Sequence, residues 1–468
     1  MSEQTPEKET AAKPDDAPET EEVFGLSEDL VGAVEEALEA GWPAEVGKLV
    51  TDLHAADKAD LVESLGADER LHLIDILGAG FDPEVLPHLD AAVREEVIDR
   101  LGPERLARLL SKLESDDAVD VFEDLDEAFQ HRILTALPLA YRHLLQESLT
   151  FPEDSAGRLM QREVVVIPSA WTLGETIDYM RAAEDLPDDF YDLYIVNPKH
   201  HPIGKIPLSR ILRTRRPVRL TEIMETDLKA IPIGTDQEEV AHMFRQYGLV
   251  SAPVVDESGR LLGVITVDDV VHIIEEEAEE DALKLAGVTE TDLYSATLDT
   301  TRARFPWLVV NLATAIMASA VIGLFEATIE QIVALAVLMP IVASMGGNAG
   351  TQTVTVAVRA IAMKDLTEST TRRFIGKETL VGAANGILFA ALVAGVAWLW
   401  FGSPMIALVL AAAMIVNMIV AGLCGTLIPL ALERAGIDPA IASSVFLTTI
   451  TDVVGFFAFL GLAALFLI

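Results

Sequence analysis

Two rhythms of apolar residues divide the chain near residue 300. From Thr301 onward five long apolar stretches follow one another, at 306–325, 329–363, 380–401, 405–432 and 440–468. Each holds about 20 residues or more, the length a helix needs to cross the hydrocarbon core of a bilayer. A buried helix of a soluble protein explains one such stretch, but not five in succession. Upstream the apolar runs are short. Over 145–275 strands and helices alternate, and the order occurs twice. The clearer copy reads as a strand at 229–233, then an amphipathic helix at 236–247 with apolar Val240, Met243 and Phe244. A strand at 251–256, a turn through Ser258-Gly259, a strand at 261–265 and a helix from Val267 complete it. The weaker copy runs from a strand at 164–168 through a helix at 173–181 to strands at 194–197 and 204–206. Such a repeat implies a paired module. Over 25–145 short helices recur between stops such as Gly66-Ala67-Asp68, Gly78-Ala79-Gly80 and Gly102-Pro103, a pattern of helix pairs stacked into a small superhelix. Residues 1–22 are rich in Pro, Glu and Thr and have little to bury. They are expected to be disordered and do not read as a signal peptide.

Charge sharpens the same division. Residues from Thr301 onward carry eight acidic and eight basic side chains, so the whole formal charge of −40 falls on residues 1–300. Such acidity excludes a nucleic-acid partner, which would need clustered Lys and Arg. It favours cations, with solubility or a salty cytoplasm as the alternative cause. The single cysteine, Cys424, excludes an internal disulfide and a thiolate zinc cluster, and reads as apolar filler. Lys364, Arg372, Arg373 and Lys377 lie between the second and third spans, Arg434 between the fourth and fifth, and Arg302 and Arg304 before the first. The other two connections carry no Lys or Arg. Basic loops stay in the cytoplasm, so the N-terminus is expected there and the C-terminus outside.

Polar groups within spans are the first candidates for function. The second span contains Pro340 and then Met345-Gly346-Gly347-Asn348-Ala349-Gly350-Thr351. Three glycines and a proline should loosen or break the helix, exposing carbonyls beside the Asn348 side chain as hard oxygen ligands. The competing reading is close helix packing through Gly346 and Gly350. The fifth span carries Asp452, the one carboxylate deep within any span, with Ser444 and Thr448 at i, i+4, i+8 spacing and Gly455 beyond. A structural hydrogen bond to a neighbouring helix is one reading of Asp452. Its role as one of two carboxylates holding a hydrated divalent cation on a dimer axis is the other, because Mg2+ gives up its waters reluctantly.

At these residues the chain resembles a known family. Pro340 to Arg359 (PIVASMGGNAGTQTVTVAVR), Asp438 to Gly455 (DPAIASSVFLTTITDVVG) and Arg304-Phe305-Pro306-Trp307-Leu308 look like signature stretches of the MgtE magnesium transport family. The resemblance implies a homodimer with a pore lined by the second and fifth spans. It makes Asp452 the selectivity residue, with Ser444, Thr448, Gly455, Asn348, Gly346 and Gly347 around it. Some members carry Asn and Ala where this chain has Ser444 and Thr448. The repeated module resembles a CBS pair, ending in Gly263-Val264-Ile265-Thr266-Val267-Asp268-Asp269. Thr266 and Asp269 would there hold the phosphate and ribose of ATP. The first copy has Pro207-Leu208-Ser209 instead, leaving at most one intact nucleotide site.

The run Glu275-Glu276-Glu277-Ala278-Glu279-Glu280-Asp281 is either a solvated charge run or the coupling between soluble module and membrane. The resemblance makes it a plug helix whose acids bind cytoplasmic Mg2+ and close the pore. The ligands so implied are Glu277, Glu280, Asp281, Asp269, Asp438, Asp116 and Asp120, with His272 where other members have a further acid. The expected architecture is multidomain. It comprises a tail (1–24), an α-helical superhelical N-domain (25–145), an α/β CBS pair (146–275), an acidic connecting helix (276–300) and a five-helix transmembrane domain (301–468). The expected function is Mg2+ entry through a channel of the cytoplasmic membrane, with Mg2+ as permeant ion and regulator, membrane lipid as surroundings and no enzymatic activity. A CBS-regulated carrier of another divalent cation and a membrane-anchored Mg2+ or nucleotide sensor are the alternatives.

Overall fold

The computed structural model describes residues 25–183, 186–187, 189–288 and 297–468. The expected tail and residues 289–296 of the connecting segment lie outside the described residues. The chain forms two units, Met1–Thr150 and Phe151–Ile468, each described by itself.

Within the first unit run α1 (Glu28–Glu39), α2 (Pro43–Thr51), α3 (Ala55–Ser64), α4 (Ala67–Leu77), α5 (Ala91–Leu101), α6 (Pro103–Leu110), α7 (Ser115–Glu123), α8 (Glu127–Ala136) and α9 (Leu139–Ser148). Local chemistry starts and stops them. Ser27, Asp90 and Asp126 accept backbone N–H bonds as N-caps, and Gly102 takes φ +74°, which ends α5 and lets Pro103 open α6. Leu61, Leu73, Leu106, Phe122 and Ile133 fill one shared core. Two buried guanidiniums tie helices across it. Arg70 donates to the Val62 and Leu65 carbonyls at the end of α3, and Arg94 of α5 bridges Asp120 and Asp124 at the end of α7.

The second unit begins with a doubled α/β module. Its first half holds α10 (Ala156–Leu159), β1 (Val166–Pro168), α11 (Leu173–Ala182), β2 (Asp192–Val196), β3 (Pro202–Pro207), α12 (Leu208–Arg213) and α13 (Leu220–Ile223). Its second holds β4 (Ile231–Pro232), α14 (Gln237–Tyr247), β5 (Ser251–Val255), β6 (Leu261–Thr266) and α15 (Val267–Ala286). Each half is a three-stranded sheet with the first pair parallel and the second antiparallel, and the register shifts at the same place, Ile195/Val196 and Val254/Val255. The halves interlock. Gln161, between α10 and β1, bridges Val264 in β6, and Glu225, ahead of β4, bridges Lys205 in β3. Between them Tyr194 Oη meets Ser251 Oγ at 2.7 Å, while Ser251 and Lys205 both donate to Asp192. This buried network is fully paired among its members, the condition under which polar groups can sit in a core.

The five expected spans are helices long and apolar enough to cross a membrane. They belong to α16 (Thr297–Gly323), α18 (Ala334–Ala362), α19 (Glu368–Phe401), α20 (Pro404–Arg434) and α21 (Pro439–Phe466), with a short α17 (Glu326–Gln331) after the first. Half of the α20 span is buried against 6% of the α16 span, so α20 is the central post. Glycines let backbones touch: a Cβ on Gly382 would lie 2.5 Å from the Met418 carbonyl, and one on Gly422 2.6 Å from the Glu378 carbonyl, sealing α19 to α20. Two expectations need correction. The helix does not break at Gly346-Gly347-Asn348, because α18 is continuous with Pro340 inside it and its glycines are taken up by packing. Arg372, Arg373 and Lys377 sit on α19 rather than in a loop, because Thr367 and Thr370 form a reciprocal cap that starts the helix before the apolar run.

Candidate functional site

The candidate polar residues of the spans lie on α18 and α21, which pack together and against α20. Gly350 and Leu447 form the seam, where an added Cβ would lie 2.6 Å from Leu447. Thr351 and Thr448 each follow one residue beyond that contact, and both are exposed, as are Asn348 and Thr355. Ser444 and Asp452 are half-buried. The threonine hydroxyls share one arrangement. Thr351 donates to the Gly347 carbonyl (2.9 Å), Thr355 to Thr351 (3.0 Å) and Thr448 to Ser444 (2.8 Å). With each proton given to the helix's own backbone, what these side chains offer outward is lone pairs. Gly347 has open space around it. Gly346 and Gly455 do not: both lie against the side chain of Asn417 in α20, a wholly buried residue that the sequence reading passed over. As a polar group within an apolar span it met the criterion applied to Asn348 and Asp452, but what it packs against is visible only in the fold.

A second cluster lies where α15 meets the N-terminus of α21. A cleft of about 740 Å3 opens there, lined by Asp154, Asp236, Glu238, Glu277, Glu280, Asp281 and Asp438 together with Lys284, Arg245 and Arg359. Asp438 serves two elements at once. Its Oδ1 caps α21 by accepting from Ala440 N–H at 2.7 Å, and its Oδ2 meets Lys284 Nζ at 2.8 Å. Lys284 also pairs with Glu280 one turn earlier on α15. Glu277 accepts from Gln237 Nε2 at 2.8 Å, and Lys364 stands 3.6 Å from Glu239, joining the end of α18 to α14.

Burial pushes the carboxyls of Asp154, Glu238, Glu277 and Asp281 above their ordinary range. Neighbouring acids add to this, Asp438 for Asp281 and Glu277 for Glu238. Lys284 is disfavoured as a cation by its burial, but its bonds to Asp438 and Glu280 outweigh that and hold its pKa up. Among the described residues no three His, Cys, Asp or Glu side chains converge closely enough to hold a bare metal ion. A wide, carboxylate-lined cleft fits hydrated divalent cations held through their waters.

The remaining candidates lie elsewhere. Asp120 is the ion-pair partner of Arg94 at 2.6 Å, and Asp116 Oδ1 accepts from Asp117 N–H at 3.1 Å, both within the first unit. Thr266 Oγ1 donates to Asp269 Oδ2 at 2.6 Å where β6 passes into α15.

Three family matches cover this architecture. The family described as a divalent cation transporter matches residues 339–462, the MgtE intracellular N domain matches 53–154, and the CBS domain matches 220–276. The magnesium transporter MgtE of Thermus thermophilus is 32% identical over 448 residues, spanning 94% of this chain and 99% of the relative. That of Enterococcus faecalis is 31% identical over 323 residues, 69% of this chain and 71% of the relative. A crystal structure of the cytosolic domain of the Mg2+ channel MgtE in complex with ATP is 31% identical, covers 52% of this chain and 99% of that one, and has a TM-score of 0.49. These matches define the class as a membrane transporter of divalent cations, not an enzyme. More particularly, the chain belongs to the MgtE family of magnesium transporters.

Proposed function

We propose that two copies of this chain form a Mg2+-selective channel in the cytoplasmic membrane, with Asp452 of each copy as the selecting carboxylate. The observation that carries this reading is the outward row of acceptor oxygens on α18 and α21, at Thr351, Thr355 and Thr448, beside Asn348 and Asp452. Waters around a divalent cation point their hydrogens outward, so a wall of acceptors accommodates the hydrated ion without stripping it. On a lipid-facing surface the same groups would be costly, which favours a water-filled path closed by a second copy. Arg302 and Arg304 ahead of the first span, Arg372 and Arg373 ahead of the third and Arg434 after the fourth support a cytoplasmic N-terminus and an outer C-terminus.

The acidic cleft supports feedback closure by cytoplasmic Mg2+. Divalent ions neutralising Glu277, Glu280, Asp281 and Asp438 would favour the state in which these surfaces meet, since a ligand shifts an equilibrium through its differential affinity for the two states. Thr266 and Asp269, already hydrogen-bonded to each other at the start of α15, are the residues proposed to hold ATP.

The test is conductance. Full-length protein in a planar bilayer, with Mg2+ as the only permeant cation, is expected to give unitary currents that millimolar Mg2+ on the cytoplasmic side shuts. Asp452→Asn is expected to lower the Mg2+ current about tenfold or more, the equivalent of about 1.4 kcal/mol. Mg2+ uptake by liposomes without any unitary current would replace the channel with a carrier.

A further inference from the structure

We infer that Asn417 is a positioning residue of the ion path, its amide setting the spacing of α18 and α21 and, through them, the placement of Asn348 and Asp452. The inference rests on the reading that these two helices line the path.

Asn417 lies midway along α20 and is fully buried. Its Nδ2 donates to the Val342 carbonyl of α18 at 2.8 Å, an acceptor that fixes which way the amide faces. A Cβ added to Gly346 of α18 would lie 2.2 Å from this nitrogen, and one added to Gly455 of α21 2.7 Å from it. One side chain of the central helix therefore occupies the notches that two glycines leave in the two neighbouring helices. The contact is level with the candidate site, since Gly346 precedes Asn348 by two residues and Gly455 follows Asp452 by three. At 1.5 Å per residue these offsets are only about 3–5 Å along the axes.

Packing alone does not account for an asparagine here. An apolar residue of the same branching, such as leucine, would occupy the space without a polar group, whereas Asn417 Oδ1 is buried and accepts no hydrogen bond among the described residues. A buried acceptor without a partner is destabilising. What the amide supplies and a leucine lacks is a directional bond to one carbonyl of α18. That bond fixes the rotation of α18 against α20, while Gly455 brings α21 onto the same group.

The experiment measures Mg2+ and Ca2+ influx separately into liposomes containing the full-length protein. Asn417→Leu is expected to give folded protein that still admits Mg2+, with the Ca2+-to-Mg2+ influx ratio raised about fivefold. Gly346→Ala should raise the ratio in the same direction. If Asn417→Leu is folded and lowers only the amount of influx with the ratio unchanged, Asn417 is a packing residue and the inference is wrong. If Asn417→Leu does not fold, Gly346→Ala decides alone, and an unchanged ratio there overturns the inference. Asp452→Asn measured alongside separates the two ideas. An unchanged ratio in that variant defeats the ion-path reading itself, whereas a shift there with none in Asn417→Leu and Gly346→Ala defeats only the role given to Asn417.

Discussion

Lys284 is a cation built into an acidic surface. It neutralises Glu280 on its own helix and Asp438 at the head of α21, so α15 is fastened to a membrane helix by a charge the chain itself provides. The surrounding carboxylates exceed what one ammonium can balance. Removing it should therefore be felt as repulsion between α15 and α21. Lys284→Met keeps the apolar stem and deletes the charge. It is expected to raise the Mg2+ concentration needed to protect the acidic segment from protease about two- to fivefold, corresponding to a pair worth roughly 0.5–1 kcal/mol at a partly exposed site. An unchanged midpoint would mean that Lys284 does not hold the two helices together. The resemblance already grouped Glu280, Asp281 and Asp438, but the part played by Lys284 was not readable beforehand. The acidic run advertises itself in the sequence, but Lys284 and Asp438 are far apart along the chain, and Lys284 looks like the ordinary end of an i,i+4 pair with Glu280.

At the scale of elements, contact rather than composition decides which glycines matter. Gly422 of α20 faces the Glu378 carbonyl of α19, a backbone atom that cannot swing aside. Gly422→Ala is expected to destabilise the membrane domain by about 1–3 kcal/mol, as overpacking does, and to lower its melting temperature in detergent. Gly347, with open space around it, should accept the same change with little effect on stability. Sequence located the spans and the doubled module because hydropathy and strand–helix alternation are local signals. It could not say whether Gly346-Gly347-Asn348 breaks a helix or packs one, since both readings use the same residues. The structure favours packing because Asn417 and Leu447 stand opposite Gly346 and Gly350, and neither partner is visible from within the second span. The start of α19 was misjudged for a related reason: Arg372 and Arg373 look like loop, yet a capped helix extends past the hydrocarbon and carries its charges along.

For the molecule as a whole, proton and divalent ion should push the same way. Asp154, Glu238, Glu277 and Asp281 hold their protons more tightly in the compact cleft than they would if its walls parted. The compact form therefore takes up protons, and acidification favours it. Without any divalent cation, protease protection of the acidic segment is expected to increase as the pH falls from neutral toward the ordinary carboxylate range. Protection that decreases on acidification would show that these acids are not crowded together in solution.

The helix α15 also has a mechanical consequence. It leaves β6 at Thr266 and runs without interruption for 20 residues to Ala286, about 30 Å at the standard rise. A rod of that length clamped at one end multiplies angle into distance, so a tilt of about 5° at Val267 displaces the far end by roughly 2.5 Å. That is close to the length of the Lys284–Asp438 bond itself. A change too small to disturb the fold of the soluble module can thus decide whether the latch at the head of α21 is made or missed.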